Sequence, residues 1–406
     1  MVSMLCVRAR AQTAARADAL SSSLRVRIDG LQMGGSSTLL PQIRVGVVGA
    51  GVAGCSAALA LLERHPTLQV AVVVRCQQLT MSGAGDGALR PSVFGDVQLR
   101  AGRPVPHRSS RAEVLFRDDG PLKVAHPLRD YGRATFERFA ALNRQLAGSE
   151  TGIKLVSGYI QSDSHDLLKQ QEEAYADIVY NFRWLTDREC ASLFVDPSKY
   201  VSYRRLYVPF LRRRIEQLGG RFEQRRVTTL DELGSSFDVV VNSAGLEAGR
   251  LANDDTVYPI RGIGVRVEAP WHKHFLYRDF STFTIPMNDA VIVGSVKQAN
   301  RSDREILDED RRDIWERYNR LHPPMKDARV LDEWCQLRPA RRDGPRVETE
   351  HRPRPTDKSA RFLVIHHYGH GGSGFTLGWG TALHAVRLFD DACASGFFGR
   401  PVNAKL

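Results

Sequence analysis

The fold of this chain is decided by the stretch Gly49-Ala50-Gly51-Val52-Ala53-Gly54. The apolar run 43–48 before it predicts a buried parallel strand, and the alanine- and leucine-rich run that ends near Arg64 predicts a helix. A second apolar run, 69–74, predicts the next strand. In a strand–turn–helix unit of this kind the three glycines serve a tight turn, close approach to a pyrophosphate and close packing of helix on strand. The stretch therefore predicts a dinucleotide-binding site.

One residue of this predicted site departs from the usual pattern. The acidic side chain that would hold the ribose hydroxyls at the end of the second strand is replaced by Val74, which is followed by Arg75. An ordinary βαβ turn that binds no ligand is the alternative interpretation. A second glycine-rich stretch near the other end of the chain argues against that alternative, because one cofactor would account for both.

The second stretch is Val364-Ile365-His366-His367-Tyr368-Gly369-His370-Gly371-Gly372-Ser373-Gly374, and a helix-like tail follows it. Glycine lets backbone N–H groups approach a ligand closely, and the helix after the loop directs its positive dipole end at that ligand. These properties suit a flat, anionic ligand. The histidines suggest a metal site, but they have no carboxylate or cysteine near them, so we predict that they orient the loop and that no metal is bound.

The order of these residues, continued by Gly380-Thr381-Ala382, resembles the C-terminal signature of the D-amino-acid oxidase family, which includes D-aspartate oxidases. The resemblance covers roughly residues 43 to 395. Further matching segments are Asn181-Phe182-Arg183, Val241-Asn242-Ser243-Ala244-Gly245, Arg261-Gly262, Ala269-Pro270-Trp271, Lys273-His274-Phe275 and Leu337-Arg338-Pro339. It implies an α/β fold, with a Rossmann-like FAD-binding domain and an interlocked substrate domain built on a mixed or antiparallel sheet. It also implies oxidative deamination of D-amino acids to 2-oxo acids, ammonia and hydrogen peroxide, by hydride transfer to flavin N5.

The resemblance assigns expected roles to individual residues. Arg338 stands where the family binds the substrate carboxylate, and a planar guanidinium suits that task because it forms two parallel charge-assisted hydrogen bonds. Arg338 and Gly372 are therefore the expected catalytic residues. The expected FAD-binding residues are Gly49, Ala50, Gly51, Val52, Ala53, Gly54, Arg75, Thr80, Ser82, Gly87, Val227, Gly371, Gly372, Ser373, Gly374, Phe375 and Thr376.

Substrate choice is expected to depend on cations around the site, because a buried carboxylate must be paired. Lys297 falls where D-aspartate oxidases have arginine, and Arg278 and Arg90 are further basic candidates. Phe283 replaces a family tyrosine whose hydroxyl binds the substrate carboxylate; Tyr277 is a candidate to compensate. The favoured substrate is an acidic D-amino acid. The alternatives are an oxidase of neutral D-amino acids and a flavin-binding homologue with weak or no catalysis.

The composition excludes some other classes of protein. The net charge is +11, but the arginines are dispersed and form no basic stripe interleaved with aromatic residues, which argues against nucleic-acid binding. No apolar run is long enough to span a membrane, and six scattered cysteines show no metal or disulfide spacing. Cys55 is expected in the core. The expected partners are therefore a small D-amino acid and molecular oxygen, with the oligomeric state left open.

Both ends of the chain resemble targeting segments. Ala404-Lys405-Leu406 resembles a peroxisomal signal, which predicts a peroxisomal location and an import receptor as partner, with the cytoplasm as the alternative. Residues 1–42 resemble a transit peptide in composition, although a disordered extension is preferred. The predicted FAD-binding domain comprises 43–100, 206–252 and 338–395; the predicted substrate domain comprises 101–205 and 253–337; a tail, 396–406, follows.

Local patterns predict further elements along the chain. Helices are predicted at 131–146, 203–218 and 302–321, and strands at 154–160, at 237–245 and several times within 256–300. Residues 101–130, rich in proline and arginine, are predicted to be irregular.

Overall fold

The computed structural model describes residues 43–75, 127–153, 155–162, 164–180, 182–185, 207–278, 282–287, 290–322 and 327–398. All of them belong to one compact unit, Gln42–Leu406. The strands are β1 (Arg44–Val48), β2 (Gln69–Val74), β3 (Gly158–Gln161), β4 (Arg221–Gln224), β5 (Val239–Asn242), β6 (Val257–Glu268), β7 (Phe275–Arg278), β8 (Thr282–Pro286), β9 (Val291–Gly294), β10 (Gln298–Ala299), β11 (Arg329–Arg341), β12 (Arg346–Pro353) and β13 (Arg361–Tyr368). The α-helices are α1 (Val52–Arg64), α2 (Pro127–Gln145), α3 (Gly148–Thr151), α4 (His165–Tyr175), α5 (Tyr207–Gln217), α6 (Glu247–Ala252), α7 (Asp308–Leu321) and α8 (Gly374–Ala394).

The first sheet has six strands in the order β12-β13-β5-β1-β2-β4. All neighbours are parallel except the edge pair of β12 and β13. Ligands of such open sheets bind beyond the carboxyl ends of the strands, near the point where the strand order reverses. In this sheet β1 lies centrally, with β2 on one side and β5 on the other, so the turn after β1 occupies that position.

Helices α1 and α8 cover this sheet and form most of its core. Helix α1 consists largely of alanine and leucine and is buried from Gly54 to Leu62, because α8 and α5 pack on it from outside. Helix α8 contributes Phe375, Trp379 and Phe389 to the same apolar cluster. Cys55 is fully buried there, as predicted, and burial raises the pKa of its thiol to about 12.

The second sheet follows the order β10-β6-β9-β8-β7-β3, and the long strand β11 also pairs with β6. Its two faces differ in character. One face packs against α7 through Ile314, Tyr318 and Leu321. The opposite face has three glycines in two strands, Gly262 and Gly264 in β6 and Gly294 in β9, and larger side chains from neighbouring strands fill the space above them.

The α/β fold with a mixed second sheet is thus confirmed, whereas several predicted boundaries are wrong. Helix α2 begins at Pro127, inside the segment predicted to be irregular, and α7 begins at Asp308 instead of 302. The strand predicted at 154–160 is limited to Gly158–Gln161. Helix α4 and the long strand β11 were not predicted. The predicted domain boundaries stay a prediction.

Among the residues that the structure describes, no helix is both long enough and apolar enough to cross a membrane.

Candidate active site

The turn after β1 has the geometry that its three glycines predict. Gly49 has a φ of +106°, and its N–H donates to the Val73 carbonyl at 2.9 Å. A Cβ on Gly54 would lie 2.0 Å from the Gly49 carbonyl oxygen, so any larger residue would separate α1 from the strand. A Cβ on Gly51 would meet nothing within 4 Å, so this side of the turn is open for a ligand to approach the backbone.

Helix α1 presents the N–H groups of its first turn beside Gly51. Gly51 is the N-cap residue and provides no side chain, and the first turn contains no acidic residue. The N–H groups of a first helical turn have no intrahelical acceptor, and together with the helix dipole they attract an anion. Ala50, Val52 and Ala53 are half-buried, and the pyrophosphate of a dinucleotide fits this position.

The C-terminal glycine loop lies directly against this turn. Gly371 has a φ of +55°, and residues Gly371–Ser373 form a short 3-10 turn that leads into α8. A Cβ on Gly374 would lie 3.3 Å from Cγ1 of Val52. The two glycine stretches, although far apart in sequence, therefore border the same space at the carboxyl end of the sheet.

The remaining predicted residues of this loop divide between the core and the loop surface. Phe375 is buried, with its ring centroid 6.3 Å from that of Tyr207. Gly372, Ser373 and Thr376 are half-buried at the N-terminus of α8. The first turn of α8 contains no acidic residue, so its dipole faces the loop uncompensated there.

A buried hydrogen-bond network joins the loop to the end of β5. The Thr381 hydroxyl is 2.8 Å from Nε2 of His367 and 2.9 Å from Nε2 of His370, and it donates to the Leu377 carbonyl at 3.1 Å. On the other side of the His367 ring, Nδ1 is 3.2 Å from the Ser243 hydroxyl. Each of these hydrogen bonds has one donor and one acceptor when the rings of His367 and His370 donate from Nε2 and the Ser243 hydroxyl donates to Nδ1 of His367.

These histidines are neutral structural groups. Burial lowers the pKa of His367 well below its usual value and that of His370 to about 4. His366 is also buried, and its Nε2 is 2.9 Å from a carboxylate oxygen of Glu350. All three rings thus have protein partners that fix the strand and the loop around the cofactor space. Among the described residues, no group of histidine, cysteine and acidic side chains has the arrangement of a metal site.

Among the described residues, the end of β2 is a part of the site that fits FAD poorly. Val74 is buried, Arg75 is exposed, and the Val74 carbonyl accepts the N–H of Arg225 from the neighbouring strand. Val227 packs against the apolar cluster below this edge. Both glycine stretches, their open side and the two helix N-termini fit FAD, whereas no acidic side chain follows Val74 directly to hold the ribose.

Arg338 lies in β11, on the glycine-lined face of the second sheet. Its Nη2 donates to the hydroxyl of Ser295 at 3.1 Å, and its Nη1 is 3.5 Å from the Val296 carbonyl. A Cβ on Gly262 would lie only 2.0 Å from Nη1, so the guanidinium occupies the space that a side chain there would fill. The arginine is half-buried, and both of these contacts come from the segment that follows β9.

The same strand brings Arg338 close to the C-terminal glycine loop. Ala340 forms an antiparallel bridge with His370, and a Cβ on Gly371 would lie 3.5 Å from Cβ of Ala340. Ala340 lies two positions after Arg338 in the same strand. The guanidinium expected to bind a carboxylate therefore stands beside the loop expected to hold the flavin.

Aromatic side chains line the sheet face beside Arg338. Phe283 pairs with Gly294 across the strands, and its ring is stacked on Tyr277 with a centroid distance of 5.7 Å and an interplanar angle of 10°. Phe283 also packs with Trp334, which covers Gly264. Because directly paired residues share a face, Tyr277, Phe283 and Trp334 form an apolar wall on the Arg338 side.

Two of the three predicted specificity cations lie among the described residues, and they are placed differently. Lys297 is half-buried and directly follows Val296, whose carbonyl is 3.5 Å from Nη1 of Arg338. Arg278 pairs with Thr282, one position beyond the Tyr277–Phe283 pair, so it projects from the opposite face. The segment that contains Lys297 therefore lies beside Arg338, whereas Arg278 projects from the opposite face of the sheet.

Four predicted residues, Thr80, Ser82, Gly87 and Arg90, lie outside the described residues. Conversely, sequence reasoning overlooked Ser295, Trp334 and Thr381 as functional positions. Gly262 and Gly264 gave a usable signal, because alternate glycines within a strand mark a close approach from above. Nothing in the sequence around Ser295 indicates its contact with a residue of another strand.

Comparison with known proteins identifies the group to which this arrangement belongs. Residues 44–388 match the family model described as DAO, FAD dependent oxidoreductase. D-aspartate oxidase 2 of Caenorhabditis briggsae is 44% identical over 364 residues, which cover 87% of this chain and 99% of that protein. D-aspartate oxidase of Homo sapiens is 32% identical over 355 residues, 86% of this chain and 95% of that protein.

A solved structure shows the same fold at much lower identity. Glycine oxidase from Geobacillus kaustophilus superposes with a TM-score of 0.62 at 19% identity, covering 86% of this chain and 95% of that one.

Proposed function

The chain belongs to the DAO family of FAD-dependent oxidoreductases, and on that premise we propose that it oxidises acidic D-amino acids, D-aspartate foremost. The substrate loses two electrons and two protons to give an imino acid, which water hydrolyses to a 2-oxo acid and ammonia. Molecular oxygen takes up the electrons and protons as hydrogen peroxide. The observation on which the proposal depends is the position of Arg338 beside the Gly371–Gly374 loop, because it sets the substrate carboxylate next to the cofactor.

FAD, when bound, supplies the two-electron oxidation. The turn at Gly51 and the start of α1 would hold its pyrophosphate, and the loop Gly371–Gly374 with the start of α8 would face its ring system. The N-terminus of α8 would also favour negative charge at that ring. Catalysis then requires orientation more than a strong base, since the reacting C–H bond must be held at a fixed distance and angle.

The residues around Arg338 account for binding and orientation. Arg338 pairs with the α-carboxylate, and its contacts with Ser295 and Val296 limit how far the guanidinium can swing. The wall formed by Tyr277, Phe283 and Trp334 excludes water from that side. Phe283 offers no hydroxyl to the carboxylate, which is expected to weaken binding by about 1.5–3 kcal/mol relative to a tyrosine.

The preference for an acidic substrate is proposed to depend on Lys297. The chain aligns with almost the whole length of two relatives named as D-aspartate oxidases. The half-buried lysine supplies a cation for a second substrate carboxylate. Lysine is a point charge without the fork of arginine, so D-glutamate should be accepted as well. Oxidation of neutral D-amino acids is the second candidate function, because Arg278 lies on the face of the sheet opposite Arg338.

Substitution of Lys297 tests this preference. Lys297→Leu is expected to lower kcat/KM for D-aspartate by about 10- to 100-fold, since a substrate carboxylate loses its cation, while turnover of D-alanine is retained. Peroxide formation with D-aspartate, D-glutamate, D-alanine and L-aspartate measures this. Lys358→Leu, at an exposed turn between β12 and β13, is the matched control. An unchanged ratio of D-aspartate to D-alanine turnover would remove the acidic assignment but not the oxidase.

We also propose a peroxisomal location for the chain, with recognition by a peroxisomal import receptor. The support is the tripeptide Ala404-Lys405-Leu406 and the expected release of hydrogen peroxide. A fluorescent protein fused ahead of the chain should co-localise with catalase and should lose that pattern when the tripeptide is removed. Diffuse fluorescence of both fusions would contradict this location.

A further inference from the structure

The side chain of Ser295 lies between Arg338 and the backbone of the segment that follows β9. It is 1% exposed. Its hydroxyl donates to the Val296 carbonyl at 3.0 Å and accepts from Nη2 of Arg338 at 3.1 Å. Since the hydroxyl proton is directed at Val296, the oxygen lone pairs are directed at the guanidinium.

This contact restrains the guanidinium together with the close approach of Gly262. The absence of a side chain at Gly262 provides the space for Nη1, and Ser295 with the Val296 carbonyl limits movement away from it. A planar guanidinium must be held in both position and plane to form two parallel bonds with a carboxylate. Ser295 supplies one of these restraints.

The segment that contains Ser295 is itself anchored at its other end. Gln298 accepts from Nη1 of Arg261 at 2.5 Å and donates to Asp310 at 3.1 Å. Arg261 is fully buried and pairs with Asp310 at 2.9 Å, joining β6 to the first turn of α7. Ser295 therefore belongs to a short, rigid segment whose two ends are tied to opposite faces of the sheet, with Lys297 between them.

From this arrangement we propose that Ser295 is a positioning residue, which orients Arg338 for the substrate α-carboxylate; the proposal rests on the function proposed above. Every amino-acid substrate has an α-carboxylate, whereas only acidic ones have a second carboxylate near Lys297. Loss of the Ser295 hydroxyl must therefore weaken binding of all substrates by the same factor. This behaviour distinguishes Ser295 from Lys297.

Steady-state kinetics of the Ser295→Ala holoenzyme test the proposal. KM is expected to rise about tenfold for both D-aspartate and D-alanine, with kcat changed less than KM, because the arginine binds the carboxylate before and during the reaction. Ser162→Ala is the matched control, as this buried serine directly after β3 bonds only to the N–H of Ser164 among the described residues. Unchanged KM values, or a rise for D-aspartate alone, would overturn the proposal.

A double-substitution cycle separates this proposal from the proposed function. The probe is succinate, which is aspartate without its amino group, and its dissociation constant is measured from the flavin spectrum. If Ser295 acts through Arg338, Ser295→Ala weakens succinate about tenfold in the wild type and not at all in an Arg338→Leu background.

Two further results have distinct meanings. If Arg338→Leu weakens succinate binding but Ser295→Ala does not, the positioning role of Ser295 is wrong and the proposed function stands. If Arg338→Leu leaves succinate binding unchanged, the carboxylate site itself is misassigned and both proposals fail. An equal effect of Ser295→Ala in both backgrounds would indicate a merely structural role and would also overturn the positioning role.

Discussion

Gly262→Ala is expected to impair catalysis while leaving the fold and the FAD site intact. The added Cβ would lie 2.0 Å from Nη1 of Arg338, and real Cβ atoms essentially never approach a heavy atom within 3.0 Å. The guanidinium must therefore move by at least about 1 Å. It is the end of a flexible side chain, so the movement costs the fold little, but a misplacement of about 1 Å at a positioning group can lower the rate about 100-fold.

The expected result is a fall in kcat/KM for D-aspartate of about two orders of magnitude, equivalent to about 2.7 kcal/mol of transition-state stabilisation. The melting temperature and the dissociation constant of FAD should stay close to those of the wild type. Gly132→Ala is the control, because a Cβ there meets nothing within 4 Å. Wild-type kcat/KM in Gly262→Ala would refute the assignment of Arg338, and loss of FAD would show that Gly262 serves the fold instead.

Two further predictions concern the buried histidines. Thr381→Val leaves the Nε2 donors of His367 and His370 without their acceptor, which costs about 1–3 kcal/mol for each donor. We therefore expect a lower melting temperature and, by fluorescence titration, weaker FAD binding, with the exposed Thr349→Val as the control. Wild-type affinity for FAD would show that this network does not support the loop. Burial holds the pKa of His272 at about 3 and of His370 at about 4, and lowers that of His367, whereas the unfolded rings bind protons near pH 6.5. The unfolded state then binds more protons than the folded state. The contribution of the three rings to the free energy of unfolding is therefore fully present above pH 6.5, and it falls as the pH drops from 6.5 towards 5, by up to about 4 kcal/mol per pH unit for the three rings together. Urea unfolding at pH 7.5, 6 and 5 measures this, and equal stabilities would show that the rings are not buried neutral.

The sequence predicted the nucleotide half of the molecule better than the substrate half. Strand β2 was predicted with its observed bounds, because periodicity and glycine spacing are local signals. Pro127 lies in the segment predicted to be irregular, although proline is also favoured at the first position of a helix, which is where it occurs in α2. Helix α7 begins only at Asp308 because Asp310 accepts the Leu307 N–H and pairs with the buried Arg261, a contact across 49 residues.

The candidate site shows the same division. Both glycine loops were predicted, since glycine requirements can be recognised within a few residues. Ser295 was not, because its role arises only where β11 pairs with β6 and β6 pairs with the end of β9. Alternate side chains of β7 project from opposite faces of the sheet, and Arg278 lies on the face opposite Arg338. A shift of one residue in the strand would have placed Arg278 on the same face as Arg338.

The central claim is that this chain binds FAD and oxidises an acidic D-amino acid beside Arg338. The most direct test is an anaerobic flavin spectrum of the purified protein, titrated first with D-aspartate and then, in a separate sample, with D-alanine. Bleaching of the flavin band by D-aspartate, with little or none by D-alanine, is the predicted result. A yellow protein that neither amino acid bleaches would contradict the claim.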